Sequence, residues 1–335
     1  MIIKMNLGKD SYDIAVERGS LKKAGELLNL DRKVLIITDD GVPEEYSRCI
    51  ASQCKTPFIE CVPQGEGSKS FDTYRRLLSV LLEKGFTRTD CVVAVGGGVV
   101  GDLSGFVAAS FMRGIDFYNI PTTLLSQIDS SIGGKVAINL DGIKNIVGAF
   151  YQPKKVIIDP DVLKTLPARQ VSNGLAETIK MSLTSDKDLF EMFENCDINE
   201  NIDEIIIRSL KIKRDVVEQD EKETGLRKIL NFGHTIGHGI ESCANLTDLY
   251  HGECVALGML AVCGKDVKER LIKVLEKVNL PTQVSMDKDS ILSAMSHDKK
   301  FDGATVTVIF VNTPGEYEMK KITSQQLAEL VKEVI

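Results

Sequence analysis

The stretch that decides the fold is C-V-V-A-V-G-G-G-V-V-G-D-L-S-G-F-V-A-A-S-F-M, residues Cys91–Met112. Its first five residues form an unbroken apolar run, which is typical of a strand buried on both faces of a parallel sheet. Gly96–Asp102 then matches G-x-G-x-x-G, and the residues from Leu103 onward predict an apolar helix. Glycines let a backbone approach a pyrophosphate closely, and the first turn of a helix favours negative charge. The stretch therefore indicates a dinucleotide site in an α/β domain.

Two features depart from the usual dinucleotide fingerprint. The motif does not follow the first strand of the chain, and no acidic residue about 20 positions further on ends a predicted strand. The alternative interpretation is a tight turn of packing glycines. Because a strand precedes the motif and a helix follows it, we favour a dinucleotide site with a non-standard layout.

Strand and helix patterns alternate around this stretch. Apolar, β-branched runs predict strands at Ile2–Asn6, Tyr12–Val16, Lys33–Thr38, Pro57–Val62, Cys91–Val95, Phe117–Ile120 and Val156–Asp159. Helical periodicity covers Leu21–Leu28, Glu44–Cys54, Phe71–Lys84 and Leu103–Met112. This alternation predicts an open α/β sheet with parallel strands.

The second half of the chain has a different pattern. Helical periodicity covers Val171–Ser182, Leu189–Glu194, Asp203–Glu218, Ile229–Ala244 and Gly252–Arg270, and a β-rich patch at Ala304–Val311 and Glu316–Lys320 precedes a last helix, Ser324–Val334. At 335 residues the chain exceeds the usual limit of one core, about 250–300 residues. We predict a Rossmann-like α/β domain over residues 1–160 and a mostly α-helical domain over residues 161–335.

Composition excludes several classes of function. The formal net charge of −7 argues against nucleic-acid binding, which relies on clustered Lys and Arg. No apolar run reaches the ~20 residues of a membrane helix, and the first residues lack the pattern of a signal peptide. The eight cysteines include no C-x-x-C pair and are expected to be reduced thiols. We expect a cytoplasmic protein that binds neither nucleic acid nor membrane.

Three of the four histidines lie within eighteen positions, at His234, His238 and His251. His234 and His238 are four residues apart and share one face of a predicted helix, while His251 begins the next helical run. Two such helices can direct imidazoles at one point. A catalytic zinc usually has three protein ligands, and a carboxylate is a common third ligand. The alternative is a set of hydrogen-bonded histidines, and Cys243 and Cys254 beside them are weaker candidates as ligands.

Further charged residues are candidates to contact a ligand. Glu177 lies among apolar residues and needs a cation or a metal as partner, unless it only pairs with Lys180 on the same helix. Arg227, at the entrance to the histidine helix, can bind a carboxylate or a phosphate bidentately. The candidates to neutralise a small, multiply charged anion are Arg113, Lys135, Lys144, Lys213, Arg227, Lys299 and Lys300.

Together these segments resemble one family, the 3-dehydroquinate synthases of the shikimate pathway, across nearly the whole chain. The resemblance rests on ten ordered motifs: G-E-G-S-K (Gly65–Lys69), G-G-G-V-V-G-D (Gly96–Asp102), M-R-G-I (Met112–Ile115), I-P-T-T-L-L (Ile120–Leu125), S-I-G-G-K (Ser131–Lys135), K-N-I-V-G-A-F (Lys144–Phe150), G-L-A-E-T-I-K (Gly174–Lys180), G-L-R-K-I-L-N-F-G-H-T-I-G-H (Gly225–His238), H-G-E-C-V-A-L-G-M (His251–Met259) and H-D-K-K (His297–Lys300).

The resemblance assigns a role to individual residues. It implies Glu177, His234 and His251 as ligands of zinc or cobalt, whereas spacing alone pairs His234 with His238. It gives catalytic roles to Glu223, His238, Lys135 and Arg227, with His238 and Glu223 handling protons. The implied NAD contacts are Asp39, Glu66, Lys69, Gly97, Gly98, Asp102, Thr122, Thr123, Lys144, Thr165 and Asn173. The implied substrate contacts are Arg113, Asp129, Lys135, Asn145, Lys180, Lys213, Arg227, Asn231 and one of Lys299 and Lys300.

The resemblance also implies a reaction, the conversion of 3-deoxy-D-arabino-heptulosonate 7-phosphate to 3-dehydroquinate and phosphate. In it NAD oxidises the C5 hydroxyl transiently, phosphate is eliminated, C5 is reduced again and an intramolecular aldol step closes the ring. The resemblance further implies that NAD is recycled, that the metal acts as a Lewis acid and that the protein is a homodimer.

Two other enzyme classes remain open at this point. A metal- and NAD-dependent polyol or alcohol dehydrogenase would release NADH and would not need Lys213, Arg227 and Asn145 together. Another sugar phosphate cyclase would act on a substrate without the carboxylate that suits Arg227. A catalytically silent metal- or nucleotide-binding protein is the remaining alternative, and the intact metal-ligand and basic residues argue against it.

Overall fold

The computed structural model describes residues 1–244, 249–296, 301–302 and 305–332. The chain forms two compact units, Met1–Pro167 and Ala168–Ile335. None of the helices in the described ranges is long and apolar enough to cross a lipid bilayer.

Residues 161–167, which the sequence analysis assigns to the second domain, lie in the first unit. Most of this segment belongs to the 3-10 helix Pro160–Thr165. The Asp159 carboxylate caps that helix by accepting a hydrogen bond from the Asp161 N–H. Asp161 also pairs with Arg18 at 2.8 Å. These contacts hold the segment against the amino-terminal part of the first unit.

The first unit is built on a seven-stranded sheet with the strand order β1-β2-β9-β6-β5-β3-β4. The strands of the unit, including the separate pair β7 and β8, are β1 (Ile2–Met5), β2 (Tyr12–Val16), β3 (Lys33–Asp39), β4 (Thr56–Val62), β5 (Cys91–Gly96), β6 (Asp116–Pro121), β7 (Lys135–Leu140), β8 (Ile143–Phe150) and β9 (Lys155–Ile158). β1 and β2 pair antiparallel, and the other neighbours in the large sheet pair parallel. The predicted parallel sheet is confirmed.

Helices cover both faces of this sheet. They are α1 (Ala24–Leu27), α2 (Glu44–Ala51), α3 (Phe71–Glu83) and α4 (Gly98–Ser110). Leu35 and Val92 pack with α3 and α4 in one apolar cluster, whereas Ile36 and Val93 pack with α1 and α2 in another. Because alternate residues of β3 and β5 enter different clusters, both strands need apolar side chains on both faces, which explains their unbroken apolar runs.

The strand order of the sheet changes direction at β3. From β3 the chain passes to β4 on one side, and it then returns to β5 on the other side. In open α/β sheets, ligands bind at the carboxyl ends of the strands where the order reverses. The ends of β3 and β5, Asp39 and Gly96, are at this position.

The hairpin of β7 and β8 was not predicted from the sequence. The pattern of β7, K-V-A-I-N-L, alternates between polar and apolar residues, but Gly148 interrupts the pattern of β8. The glycine is required by backbone approach, since a Cβ there would lie 2.2 Å from the Val136 carbonyl oxygen. Close strand pairing of this kind is a known reason for glycine inside a strand.

The second unit is mainly helical, as predicted. Its elements are α5 (Ala168–Ser185), α6 (Lys187–Asn195), α7 (Ile202–Gln219), α8 (His234–Cys243), α9 (His251–Ala261), α10 (Lys265–Lys277), α11 (Lys288–Ser296), β10 (Phe301–Asp302), β11 (Thr305–Thr313), β12 (Glu316–Thr323) and α12 (Ser324–Val331). The three strands form an antiparallel sheet in the order β10-β11-β12.

Two helices predicted as continuous are interrupted. The pattern over Ile229–Ala244 divides into the 3-10 helix Leu226–Asn231 and α8, because Gly233 adopts a left-handed φ of 75°. The pattern over Gly252–Arg270 divides into α9 and α10, because Cys263 leaves the helix to form a parallel bridge with Val311. Periodicity continues through both breaks, so the sequence pattern alone could not locate them.

Glycines allow the helices that carry histidines to approach one another closely. A Cβ at Gly258 of α9 would lie 1.9 Å from the Gly233 carbonyl oxygen, and one at Gly237 of α8 would lie 2.9 Å from the Cys254 carbonyl oxygen. At Gly252, a Cβ would lie 2.1 Å from the Asn173 carbonyl oxygen of α5. The three helices therefore touch through backbone atoms, at distances that a side chain would prevent.

We expect Gly258→Ala to destabilise the protein by about 3 kcal/mol, because the added methyl group forces α8 and α9 apart. Gly67→Ala is the control, since a Cβ at Gly67 meets nothing within 4 Å. Chemical denaturation measures both free energies of unfolding. Equal stabilities of the two variants would contradict the packing argument.

Candidate functional site

One carboxylate and two imidazoles converge in the second unit. Glu177 lies on α5 and is 1% exposed, and His234 and His251 are the first residues of α8 and α9. The Nε2 atoms of His234 and His251 stand 3.4 Å and 3.5 Å from the same atom, Glu177 Oε1. Two ligands about 2.0–2.1 Å from a tetrahedral zinc ion lie about 3.3 Å apart, so the three atoms have the spacing of a metal-ligand set.

The two oxygens of Glu177 have different environments. Oε2 accepts a hydrogen bond from the Lys180 ammonium. Oε1 is buried and accepts no hydrogen bond from any described residue, and the two Nε2 atoms lie beyond the usual 2.7–3.2 Å of an N–H···O bond. A buried oxygen without a donor is costly, and a cation among the three atoms would satisfy it.

The other ring nitrogens of the two histidines are also engaged. His234 Nδ1 lies 3.2 Å from the carbonyl oxygen of Phe232, and His251 Nδ1 lies 3.0 Å from Glu241 Oε2. Metal-binding histidines usually donate the second ring N–H to a carbonyl or a carboxylate in this way. The geometry therefore fits a divalent metal ion on Nε2 of both rings.

The electrostatics of the site favour a cation. Burial raises the pKa of Glu177, but the Lys180 ammonium and His251 outweigh it and lower the pKa to about 2. Burial lowers the pKa of His251, but the carboxylates of Glu177 and Glu241 outweigh it and raise the pKa to about 9. The raised pKa of His251 shows that carboxylates dominate the potential at its imidazole.

His238 gives a second possible ligand set. The ligand atoms of His234, His238 and His251 lie within 4.8 Å of one another. The ring centroid of His238 is 5.3 Å from that of His234 and 5.8 Å from that of His251. His234 and His251 belong to both sets, and the third ligand is either Glu177 or His238.

A loop between α7 and α8 presents further predicted residues. The Asp220 carboxylate accepts the backbone N–H groups of Thr224, Gly225 and Arg227 at 2.9, 2.7 and 3.0 Å. Partial burial raises the pKa of Asp220, but these N–H groups outweigh it and lower the pKa to about 2. The carboxylate thus fixes the path of the loop up to Arg227, which is 3% exposed.

Glu223 lies inside this loop with a left-handed φ of 59°. Its Oε1 accepts a hydrogen bond from Asn231 Nδ2 at 2.7 Å. Lys213 on α7 and Lys180 on α5 are 4% and 2% exposed, so the second unit buries three predicted substrate cations, Lys180, Lys213 and Arg227.

In the first unit, the glycine motif follows β5 as predicted. Gly97 caps the amino end of α4, and a Cβ at Gly98 would lie 3.0 Å from Ser130 Oγ. Thr122 donates its N–H to the Gly96 carbonyl oxygen at 3.0 Å. The backbone of Gly97 and Gly98 is therefore not covered by side chains of its own at the carboxyl end of β5. A phosphate could bind there to the N–H groups at the start of α4.

A buried lysine joins the segments around this turn. Lys69 is 3% exposed, and its ammonium lies 2.6 Å from Asp102 Oδ2 and donates to Asn145 Oδ1. Asn139 Nδ2 donates to Glu66 Oε1 at 2.8 Å, and Asn145 N donates to Asn139 Oδ1 at 2.9 Å. The structure thus brings together the G-E-G-S-K loop, the start of α4 and the hairpin.

Comparisons with known proteins agree with this arrangement. The family model described as "3-dehydroquinate synthase N-terminal" matches residues 59–173, and the one described as "3-dehydroquinate synthase C-terminal" matches residues 174–301. The 3-dehydroquinate synthase of Streptococcus suis (strain 05ZYH33) is 40% identical over 354 residues, which cover 99% of this chain and 100% of the relative. The chain belongs to the 3-dehydroquinate synthase family. The predicted family is confirmed.

Solved structures show the same fold. The 2-deoxy-scyllo-inosose synthase complexed with carbaglucose-6-phosphate, NAD+ and Co2+ has a TM-score of 0.90 at 24% identity, over 100% of both chains. ValA, the 2-epi-5-epi-valiolone synthase from Streptomyces hygroscopicus subsp. jinggangensis 5008 with NAD+ and Zn2+ bound, has a TM-score of 0.86 at 25% identity, over 96% of this chain and 95% of that chain. The predicted fold class is thereby confirmed.

The site residues implied by the family resemblance are found in both units. The first unit contains Asp39, Glu66, Lys69, Gly97, Gly98, Asp102, Arg113, Thr122, Thr123, Asp129, Lys135, Lys144, Asn145 and Thr165. The second unit contains Asn173, Glu177, Lys180, Lys213, Glu223, Arg227, Asn231, His234, His238 and His251. Lys299 and Lys300 lie outside the described residues.

Two of the residues implied as NAD contacts, Thr165 and Asn173, form hydrogen bonds within the protein. The Thr165 hydroxyl lies 2.9 Å from the Tyr46 hydroxyl, at the end of the 3-10 helix Pro160–Thr165. Asn173 Oδ1 accepts the Gly252 N–H at 2.6 Å and so attaches the start of α9 to α5. Asn173 therefore also helps to place His251, the residue next to Gly252.

Sequence reasoning missed several residues that support the site. Glu253 caps α9 and forms a double salt bridge with Arg169 at 2.7 and 2.8 Å. The N-cap of α9 is Tyr250 and not Ser, Thr, Asp or Asn, so the sequence lacks the usual capping-box signal that would have identified Glu253. Asp220 and Glu241 carry no such signal, because their partners are identified only by the folded chain.

We expect Asp220→Asn to destabilise the second unit above about pH 4, with the effect disappearing toward pH 2. The folded-state pKa of Asp220 is lowered, so its stabilisation is complete above the unfolded value near 4 and is lost as pH falls through the folded value. Chemical denaturation across this pH range measures the difference from the parent. Asp215→Asn, at an exposed position on α7, is the control and should show no such profile. A pH-independent effect of Asp220→Asn would contradict the prediction.

Proposed function

We propose that this chain is a 3-dehydroquinate synthase that converts 3-deoxy-D-arabino-heptulosonate 7-phosphate to 3-dehydroquinate and phosphate, using NAD and one divalent metal ion. One observation carries the proposal. The buried Glu177 Oε1 faces the Nε2 atoms of His234 and His251 in a chain whose relatives, similar over their full length, are 3-dehydroquinate synthases.

We propose Glu177, His234 and His251 as the residues that hold the metal. Nitrogen and carboxylate oxygen ligands accept both zinc and cobalt, and the solved neighbours contain Co2+ or Zn2+ together with NAD+. When bound, the ion supplies Lewis acidity at a substrate hydroxyl, and NAD accepts a hydride and returns it. Lys180 neutralises the second oxygen of Glu177 and so leaves Oε1 for the ion.

The buried cations of the second unit suit an anionic substrate. Lys180, Lys213 and Arg227 are all nearly inaccessible, and charge interactions are stronger at low dielectric than in water. Arg227 can bind a carboxylate or a phosphate with two parallel hydrogen bonds. Asp220 holds the backbone of Arg227, so the guanidinium is presented from a fixed loop.

We assign proton transfer to His238 and Glu223. His238 lies beside both ligand histidines and can reach a substrate held at the metal. Glu223 is oriented by Asn231 and by its own left-handed backbone. A residue kept in this conformation without being glycine is often found at a functional site.

In the first unit we place NAD at the carboxyl ends of β3 and β5. Asp39, whose pKa is raised by burial, ends β3, and the glycine turn ends β5. The amino end of α4 can hold the pyrophosphate. Lys69, held by Asp102 and Asn145, fixes the loop and the hairpin that border this position.

Phosphate release without accumulation of NADH distinguishes this function from that of a polyol or alcohol dehydrogenase. Enzyme with substrate and trace NAD should release phosphate over many turnovers, and EDTA should stop the release. Removing a buried charge from its partners costs about 2–5 kcal/mol, so we expect Arg227→Ala to lower the rate at least about 30-fold. Arg214→Ala is the control, since Arg214 pairs with Asp215 at the surface of α7. NADH formed in proportion to substrate would refute the synthase and support a dehydrogenase.

The two possible ligand sets predict different metal contents. If Glu177 is the third ligand, His238→Ala should retain one zinc per chain and lose phosphate release, whereas His234→Ala should lose the metal. Metal analysis after dialysis measures both. Loss of zinc from His238→Ala to the same extent as from His234→Ala would support the three-histidine set instead.

We also propose a homodimer located in the cytoplasm. The hairpin of β7 and β8 exposes four large apolar side chains, Leu140, Ile143, Ile146 and Phe150, each 40–49% exposed, and contiguous apolar patches often mark protein interfaces. The eight cysteines are thiols, which suits a reducing compartment. Sedimentation equilibrium and cell fractionation test the two statements, and a monomer mass or an extracytoplasmic protein would contradict them.

A further inference from the structure

Glu241 links the two helices that carry histidines. It lies on α8, and its Oε2 is 3.0 Å from Nδ1 of His251 on α9. Its side chain is only 14% exposed, so the pair is largely shielded from water. No motif of the sequence or comparison with a known protein gives Glu241 a role.

The contact determines which nitrogen of His251 can bind a metal. An ionised carboxylate only accepts hydrogen bonds, so the proton of a neutral His251 ring must reside on Nδ1. Nε2 then keeps its lone pair, and it faces Glu177 Oε1 at 3.5 Å. The contact also fixes the rotation of the ring, which two torsions would otherwise leave variable.

His234 shows the same arrangement with a different partner. Its Nδ1 meets the Phe232 carbonyl oxygen, a neutral acceptor supplied by the backbone. Both histidines begin a helix, but the partner of His251 Nδ1 is a side chain of the neighbouring helix, Glu241 on α8. A carboxylate is the stronger acceptor, and outer partners of this kind raise the basicity of a metal ligand.

We propose that Glu241 is a positioning residue that holds His251 in the tautomer and orientation required for metal binding. This inference rests on the proposed function, because it assumes that His251 is a ligand. The competing interpretation is a salt bridge that only joins α8 to α9 and adds to stability.

Zinc affinity of the apoprotein separates the two interpretations. Glu241→Ala removes the acceptor, and Glu241→Gln keeps an acceptor of the same shape without its charge. Glu269→Gln, at an exposed position of α10, is the control for loss of one negative charge. Competition with a chromogenic chelator gives the Zn2+ dissociation constants, visible absorption of the Co2+ forms reports ligand geometry, and thermal unfolding of the apoproteins reports stability.

We expect Glu241→Ala to weaken Zn2+ binding about 10–100-fold and to alter the Co2+ spectrum. Glu241→Gln should weaken binding less, and Glu269→Gln should match the parent. Parent-like affinities for both Glu241 variants would overturn the inference, even if their unfolding temperatures fell. If Glu241→Ala does not fold, Glu241→Gln decides alone: weaker binding than the parent supports the inference and equal binding overturns it. A parent protein that binds no Zn2+ would instead refute the metal site of the proposed function.

Discussion

The close approach of α8 to α9 is the constraint on which the site depends. Each helix begins with a histidine, and the backbones meet where Gly233 and Gly258 leave no room for a side chain. Helices separated by side chains pack at about 8–10 Å between axes, and direct backbone contact allows a closer approach. Backbone contact brings the two Nε2 atoms to within 3.5 Å of Glu177 Oε1. The glycines in these motifs therefore help to determine where the two imidazoles lie relative to Glu177.

Burial of charge is the second constraint on the site. Glu177, Lys180, Lys213 and Arg227 are almost completely buried, although burying a charge is unfavourable unless a partner compensates for it. Lys180 compensates one oxygen of Glu177, and the Glu221 carbonyl oxygen accepts a hydrogen bond from Arg227 at 2.5 Å. The same low dielectric strengthens the interaction of these charges with any ligand that reaches them.

How much could be predicted from the sequence depended on the range of the interactions involved. The strands of the parallel sheet and the glycine turn after β5 follow from local pattern, and both are present. The hairpin was missed because Gly148 interrupts its second strand, although the first strand alternates between polar and apolar residues. Glu177 was recognised as a residue that needs a partner, but spacing could not connect it to histidines more than fifty positions away. The hydrogen-bond partners of Glu241 and Asp220 could not be predicted from the sequence for the same reason.

The predicted helix over Ile229–Ala244 shows why a break of one residue matters for chemistry. In a continuous helix the Phe232 carbonyl oxygen would accept the N–H four residues later and would be unavailable to a side chain. The left-handed Gly233 is the N-cap of α8, and the first helical hydrogen bond runs from Gly237 N to the Gly233 carbonyl oxygen. The Phe232 carbonyl is then directed at His234 Nδ1 and orients that ring toward Glu177. His238 lies one turn further along α8, where the helix is regular. The interruption therefore gives His234 a backbone partner that an unbroken helix would not supply.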